Sequence, residues 1–144
     1  MVHVPYKGSG PSFTDLLGGQ IPLTFDSMVQ GLPYVKNGRL RAVAVLGPKR
    51  SPPLPEVPTV AETLAGYEVV NWFGMVVPAA TPRDIVTRLH AEVVKALRLP
   101  EIRERLLANG ADPVGSSPEE FGAFMKSEAA KWAKVIKEAN IHAD

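Results

Sequence analysis

The residues best suited to chemistry lie in two short stretches near the N-terminus. Lys7-Gly8-Ser9-Gly10-Pro11 follows an apolar run and precedes a helix-compatible segment. Glycines there let a ligand approach the backbone closely. The free N–H groups at a helix start, with the helix dipole, favour an anion. Ser9 adds a hydroxyl and Lys7 a positive charge; the plainer reading is a strand–helix turn capped by Ser9 or Gly10. The second stretch, Phe25-Asp26-Ser27, stands at the end of one apolar run and the start of the next helix. Ligands of open α/β sheets collect at the carboxyl ends of strands. Asp26 could there accept a hydrogen bond from a ligand ammonium or hydroxyl, or simply cap the helix. Further along, Trp72 and Phe73 could wall a cleft, although aromatics in an apolar run ordinarily pack a core. Asn71 is a lone polar residue beside them.

Catalytic patterns are missing. The sequence has no Gly-x-Ser-x-Gly elbow, no His-Glu-x-x-His and no P-loop. His3, His90 and His142 are scattered, and a hydrolase using Ser9 or Ser27 would have no base candidate nearby. The chain lacks cysteine, which excludes disulfides, thiolate zinc sites and thiol nucleophiles. No metal site and no cofactor is expected. Lys+Arg number 16 against 15 Asp+Glu, so a general nucleic-acid binder is not expected either.

The elements that must hold these residues follow from the pattern. The 144 residues are 45% hydrophobic and 22% charged, a globular composition. No apolar run is long enough to cross a bilayer, and the first residues lack a signal-peptide pattern. Short strands are expected at Val2–Pro5, Ile21–Phe25 and Leu40–Leu46. Helices are expected from Pro11 to Leu17, stopped by Gly18-Gly19, and after Asp26-Ser27, started late or kinked by Pro33. This order gives an α/β fold class. Prolines number 14, about twice the usual ~5%. They crowd residues 47–58, which reads as an extended crossing or hinge between lobes. Thr59 and Ser117 each open a capping box, with Glu62 and Glu120 as partners. Thr81-Pro82, Pro100 and Pro118 start three further helices. Tyr67–Val77 is the longest strand expected, apolar on both faces, yet its half of the chain holds no strand to pair with it.

Taken in order, several segments resemble the C-terminal half of the Bug, or TctC-type, proteins. They are His3-Val4-Pro5-Tyr6-Lys7-Gly8, Thr14-Asp15-Leu16-Leu17-Gly18-Gly19-Gln20, Phe25-Asp26 and Gly38-Arg39-Leu40-Arg41-Ala42-Val43-Ala44-Val45. Pro55 to Glu62, Trp72-Phe73-Gly74, Pro78 to Pro82 and Lys131 to Lys137 complete the series. The resemblance implies part of a two-lobe, Venus-flytrap periplasmic-binding-protein fold of type II. On it, residues 1–46 are a remnant of the second lobe, 47–58 the crossing, and 59–144 the segment completing the first lobe. It further implies no enzyme activity, and a receptor that binds a small carboxylate (a di- or tricarboxylate or an acidic amino acid) and delivers it to a membrane permease. That places the function in the periplasm, or in the cytoplasm if the chain is made as given. The ligand-binding residues expected are Lys7, Gly8, Ser9, Gly10, Asp26, Ser27, Trp72 and Phe73. The rival expectation is a truncated, non-binding protein that pairs with itself or a homologue through an exposed sheet edge.

Overall fold

The computed structural model describes residues 2–141; His142 lies outside them. Among the described residues five α-helices form in order: α1 (Ser9–Leu17), α2 (Met28–Lys36), α3 (Arg83–Leu97), α4 (Pro100–Ala108) and α5 (Pro118–Glu138). A short 3₁₀ turn, Val60–Glu62, lies between α2 and α3. The chain packs as two units. The first takes the chain up to Trp72 together with Pro100–Pro113; the second takes Phe73–Leu99 and the chain from Val114 onward.

In the first unit, Leu32, Leu54 and Val57 form the buried centre, with Met28, Val35, Ala42 and Val45 packed against it. The Pro-rich stretch 47–58 therefore lies wholly inside this unit and supplies two of its three central side chains. The first change of unit along the chain falls between Trp72 and Phe73. A guanidinium clamp fixes the stretch from outside. Arg50 Nε and Nη2 donate to the two oxygens of Glu62 at 2.8 and 2.7 Å. Glu62 also closes the Thr59 capping box. The Arg50 hydrogen bonds, then the Thr59 amide, hold the Glu62 carboxyl down at about 2.

α1 lies against α2 through the stacked rings of Phe13 and Tyr34, whose centroids are 5.3 Å apart. Ser12 and Thr24 hydroxyls meet at 3.0 Å and tie α1 to the segment leading into α2. Pro33 sits inside α2 without ending it. It has no N–H, so the helix loses one i→i−4 bond there. α4 joins the same unit: Lys36 Nζ donates to the Ala108 carbonyl at 3.1 Å, and a Cβ on Gly110 would collide with Met28.

Among its described residues the second unit has none buried as deeply as that centre; α3 and α5 contain none. Ser117 caps α5 with the expected box, and Glu120 Oε2 accepts from the Ser117 amide at 2.8 Å. Pro82, one residue after the expected Thr81, occupies the cap position of α3. Gly74 runs so close to the Phe121 ring that any side chain there would overlap it.

The strands expected at Val2–Pro5, Ile21–Phe25, Leu40–Leu46 and Tyr67–Val77 do not form a ladder. Among the described residues, the sole pairing of that kind is one isolated parallel bridge, Val45 with Thr59. Val45 N–H donates to the Pro58 carbonyl at 2.8 Å, and Val60 N–H to the Val45 carbonyl at 2.9 Å. Val69 N–H reaches the Leu46 carbonyl at 3.0 Å. The physical reason is that an apolar run supplies side chains for a sheet but not the neighbouring backbone that a strand needs. Pro5 and Pro22 also remove donors from two of the runs.

The consequence is exposed apolar surface. The chain exposes 11112 Å². Phe73, Met75 and Val76 are 65–76% exposed. Patches of this kind attract apolar partners. The purified chain is expected to bind 1-anilino-8-naphthalenesulfonate strongly at neutral pH, with blue-shifted emission. A monodisperse monomer that leaves the dye dark would contradict the exposure described.

Candidate functional site

The two stretches singled out near the N-terminus meet. Ser9 is the first residue of α1 and Ser27 the cap residue of α2. Between them, Ser9 Oγ donates to Asp26 Oδ1 at 2.9 Å. The same oxygen accepts the Ser27 N–H at 2.7 Å. One carboxylate, 17 residues along the sequence from its hydroxyl donor, thus ties the starts of two helices. The Phe13–Tyr34 stack and the Ser12–Thr24 contact hold the helices in the pairing that makes this possible.

The turn ahead of α1 is shaped by Gly8, whose φ of 100° and ψ of 176° lie in a region essentially restricted to glycine. No side chain caps α1. Its first amides are therefore left to solvent or to an anion, as at any uncapped helix start. Lys7 is exposed and forms no ion pair among the described residues. Tyr6, just before it, is anchored by donating its hydroxyl to Asp15 Oδ2 at 2.7 Å. That hydrogen bond raises the Tyr6 hydroxyl above its ordinary value of 10.0.

Asp26 and Ser27 divide their work differently from a simple cap. Ser27 has the cap backbone, φ −70° and ψ 143°, but its hydroxyl makes no cap bond. Its Oγ is buried without any hydrogen-bond partner, and the residue is 6% exposed. Asp26 is half-buried and serves as the bridge to Ser9. Trp72 is the last residue of the first unit, 40% exposed; Phe73 is the first residue of the second, 76% exposed. They are thus surface residues in this chain and not core.

The arrangement offers donors at the α1 start and one acceptor group at Asp26, with no nucleophile–base pair. Neither serine hydroxyl bonds to a histidine: Ser9 donates to Asp26, and His90 Nε2 pairs with the Ser116 carbonyl at 3.1 Å. Among the described residues, no three His, Cys, Asp or Glu side chains gather as metal ligands. The Ser9–Asp26 bond joins two stretches that stand as separate features in the sequence. A separate open groove of ≈ 290 Å³ in the first unit is lined by Val29, Ile102, Arg105, Leu106, Asn109 and Ala111. None of these was singled out in the sequence.

Comparison with known proteins gives a consistent picture. Residues 1–141 match the family described as tripartite tricarboxylate transporter family receptor. A Pseudomonas sp. (strain P51) protein of the UPF0065 group, from the tcbD-tcbE intergenic region, is 40% identical over all of this chain and 44% of its own length. A second UPF0065 protein, from Pseudomonas knackmussii, is 35% identical, with 94% of this chain and 82% of that one covered. Protein BugT of Bordetella pertussis is 38% identical over 94% of this chain and 42% of its own. An R. palustris protein solved with adipate superposes with a TM-score of 0.90 at 40% identity, over 96% of this chain and 46% of that chain. The periplasmic binding protein BugD gives 0.89 at 34% identity, over 98% and 48%. MatC from Rhodopseudomonas palustris, solved with bound malate, gives 0.81 at 32% identity, over 92% and 47%. The chain thus spans about half the length of most relatives it matches. These likenesses bear out the expected α/β class, as part of a two-lobe periplasmic-binding-protein fold. They are to receptors and binding proteins of transport, not to enzymes.

The Gly8 geometry yields a paired expectation. Gly8→Ala must adopt a glycine-only backbone with open space around its Cβ, so the cost is purely conformational, about 1–3 kcal/mol. Gly10→Ala sits in helical backbone with nothing near its Cβ and should be neutral or stabilising by up to about 1 kcal/mol. Urea midpoints of the two variants check this; equal effects would mean the turn is not held as described.

Proposed function

The chain belongs to the tripartite tricarboxylate transporter receptor family, and from that premise we propose that it is a solute-binding protein for a small carboxylate. The observation that carries the proposal is the Ser9–Asp26 hydrogen bond, which brings the uncapped start of α1 beside the start of α2. The amides of Gly8, Ser9 and Gly10 would receive a ligand carboxylate, helped by the dipole of α1 and the charge of Lys7. Asp26 and Ser27 would take the polar end of the ligand. Trp72 would form an apolar wall. The adipate and malate bound by two solved relatives support a small-acid ligand.

In this reading the protein works in the periplasm and hands its ligand to a membrane permease of the transporter. Support comes from the family's description as a transporter receptor and from the periplasmic relatives.

The test is a calorimetric melt of the chain with and without adipate, malate, citrate, aspartate and glutamate. A site held at 100 times its dissociation constant adds about 2.7 kcal/mol to stability. An upward shift of several degrees with at least one acid is the expected result. A cooperative melt that no acid moves would overturn the proposal for this chain.

A further inference from the structure

Resting on the binding reading above, we infer that Asp26 makes this site select carboxylates that also carry a hydroxyl or ammonium donor over plain dicarboxylates. Asp26 Oδ1 is already engaged by Ser9 Oγ at 2.9 Å and the Ser27 amide at 2.7 Å. No donor reaches Oδ2 among the described residues, although the side chain is half-buried. A carboxylate has about four acceptor positions, so Asp26 retains acceptor capacity on the oxygen that faces no protein donor.

A second observation comes from the next residue. Ser27 Oγ is buried and lacks any partner, with the residue 6% exposed. Buried polar atoms are nearly always paired, and an orphan asks for a missing partner. The Ser27 amide is bonded to the Asp26 carboxylate, so the orphan hydroxyl belongs to the residue directly attached to the free acceptor. One acceptor and one hydroxyl able to give or take a hydrogen bond therefore stand beside the donors of the α1 start.

A ligand that brings only acceptors cannot satisfy this set. Succinate would offer a carboxylate to the α1 amides and a second carboxylate, or bare methylenes, toward Asp26. The first leaves two like charges in contact and the second leaves Asp26 unpaired. Malate places a hydroxyl, and aspartate an ammonium, one carbon from the carboxylate that the amides hold. Such a group donates to Asp26 while its neighbour accepts from the helix start. Sites built to pair a ligand hydroxyl or amine discriminate strongly against analogues without it.

Isothermal titration of the chain with succinate, malate and aspartate tests the inference, on the native protein and on Asp26→Asn. The amide oxygen of Asn can still accept from Ser9 and Ser27, so the fold of the site is retained. Native protein should bind malate and aspartate about 10–100-fold more tightly than succinate, the range of a hydrogen bond to a charged group. Asp26→Asn should narrow that gap, with aspartate losing most because its ammonium loses the opposing charge. Succinate binding as tightly as malate to the native chain overturns the inference and leaves carboxylate binding intact. A gap unchanged in Asp26→Asn overturns it as well, since selection would then lie elsewhere. Failure of all three acids to bind overturns this inference, and the binding proposal falls with it only if adipate, citrate and glutamate also leave the melt unmoved. Should the variant not fold, the malate-to-succinate ratio of the native chain still decides.

Discussion

One carboxylate oxygen organises the N-terminal part of this protein. Asp26 Oδ1 accepts from a hydroxyl at the start of α1 and from the amide at the cap of α2. A helix start is a place of unsatisfied donors. Two of them brought together would ordinarily repel, since each carries a partial positive charge. A carboxylate shared between them offsets that repulsion and fixes their spacing. The ring stack of Phe13 on Tyr34 and the Ser12–Thr24 contact supply the side-to-side packing. With those in place, the Gly8 turn has little freedom in where it presents its amides.

The rest of the structure divides unevenly around that feature. The first unit has a small buried centre built from Leu32, Leu54 and Val57, and the Arg50–Glu62 clamp braces the proline-rich stretch over it. The second unit carries two good amphipathic helices yet buries no side chain to the same depth. Helical stability in proteins comes mostly from packing of an apolar face and not from propensity. α5 begins on a complete capping box with Pro118 at its first position, so local signals define its start strongly even where packing is thin. The apolar run through Phe73, Met75 and Val76 has the composition of a sheet centre and the exposure of a surface.

Local chemistry was legible in the sequence and long-range pairing was not. The capping boxes at Thr59 and Ser117 form as expected, because each is a contact between residues three apart. The helix stop at Gly18-Gly19 was equally local, and Gly19 takes its positive φ of 74°. The strands failed because a strand is a relation between distant segments, and Val45–Thr59 is the sole pairing the described residues make. Prolines forbid a ladder, but they do not forbid Leu54 and Val57 from turning inward. The ordered motifs carried the family resemblance, because they survive as short local sequences. The Ser9–Asp26 bond was invisible for the opposite reason: its two ends belong to different motifs, and only the α1–α2 packing joins them.

The central claim is that a carboxylate binds at the paired helix starts. Backbone amide shifts of the ¹⁵N-labelled chain, followed during titration with malate, test it most directly. The account predicts shifts concentrated at Gly8, Ser9, Gly10 and Ser27, saturating together with one dissociation constant. Shifts confined to Ile102 through Asn109, along the groove beside α4, would contradict it and move the site to the other face of α2.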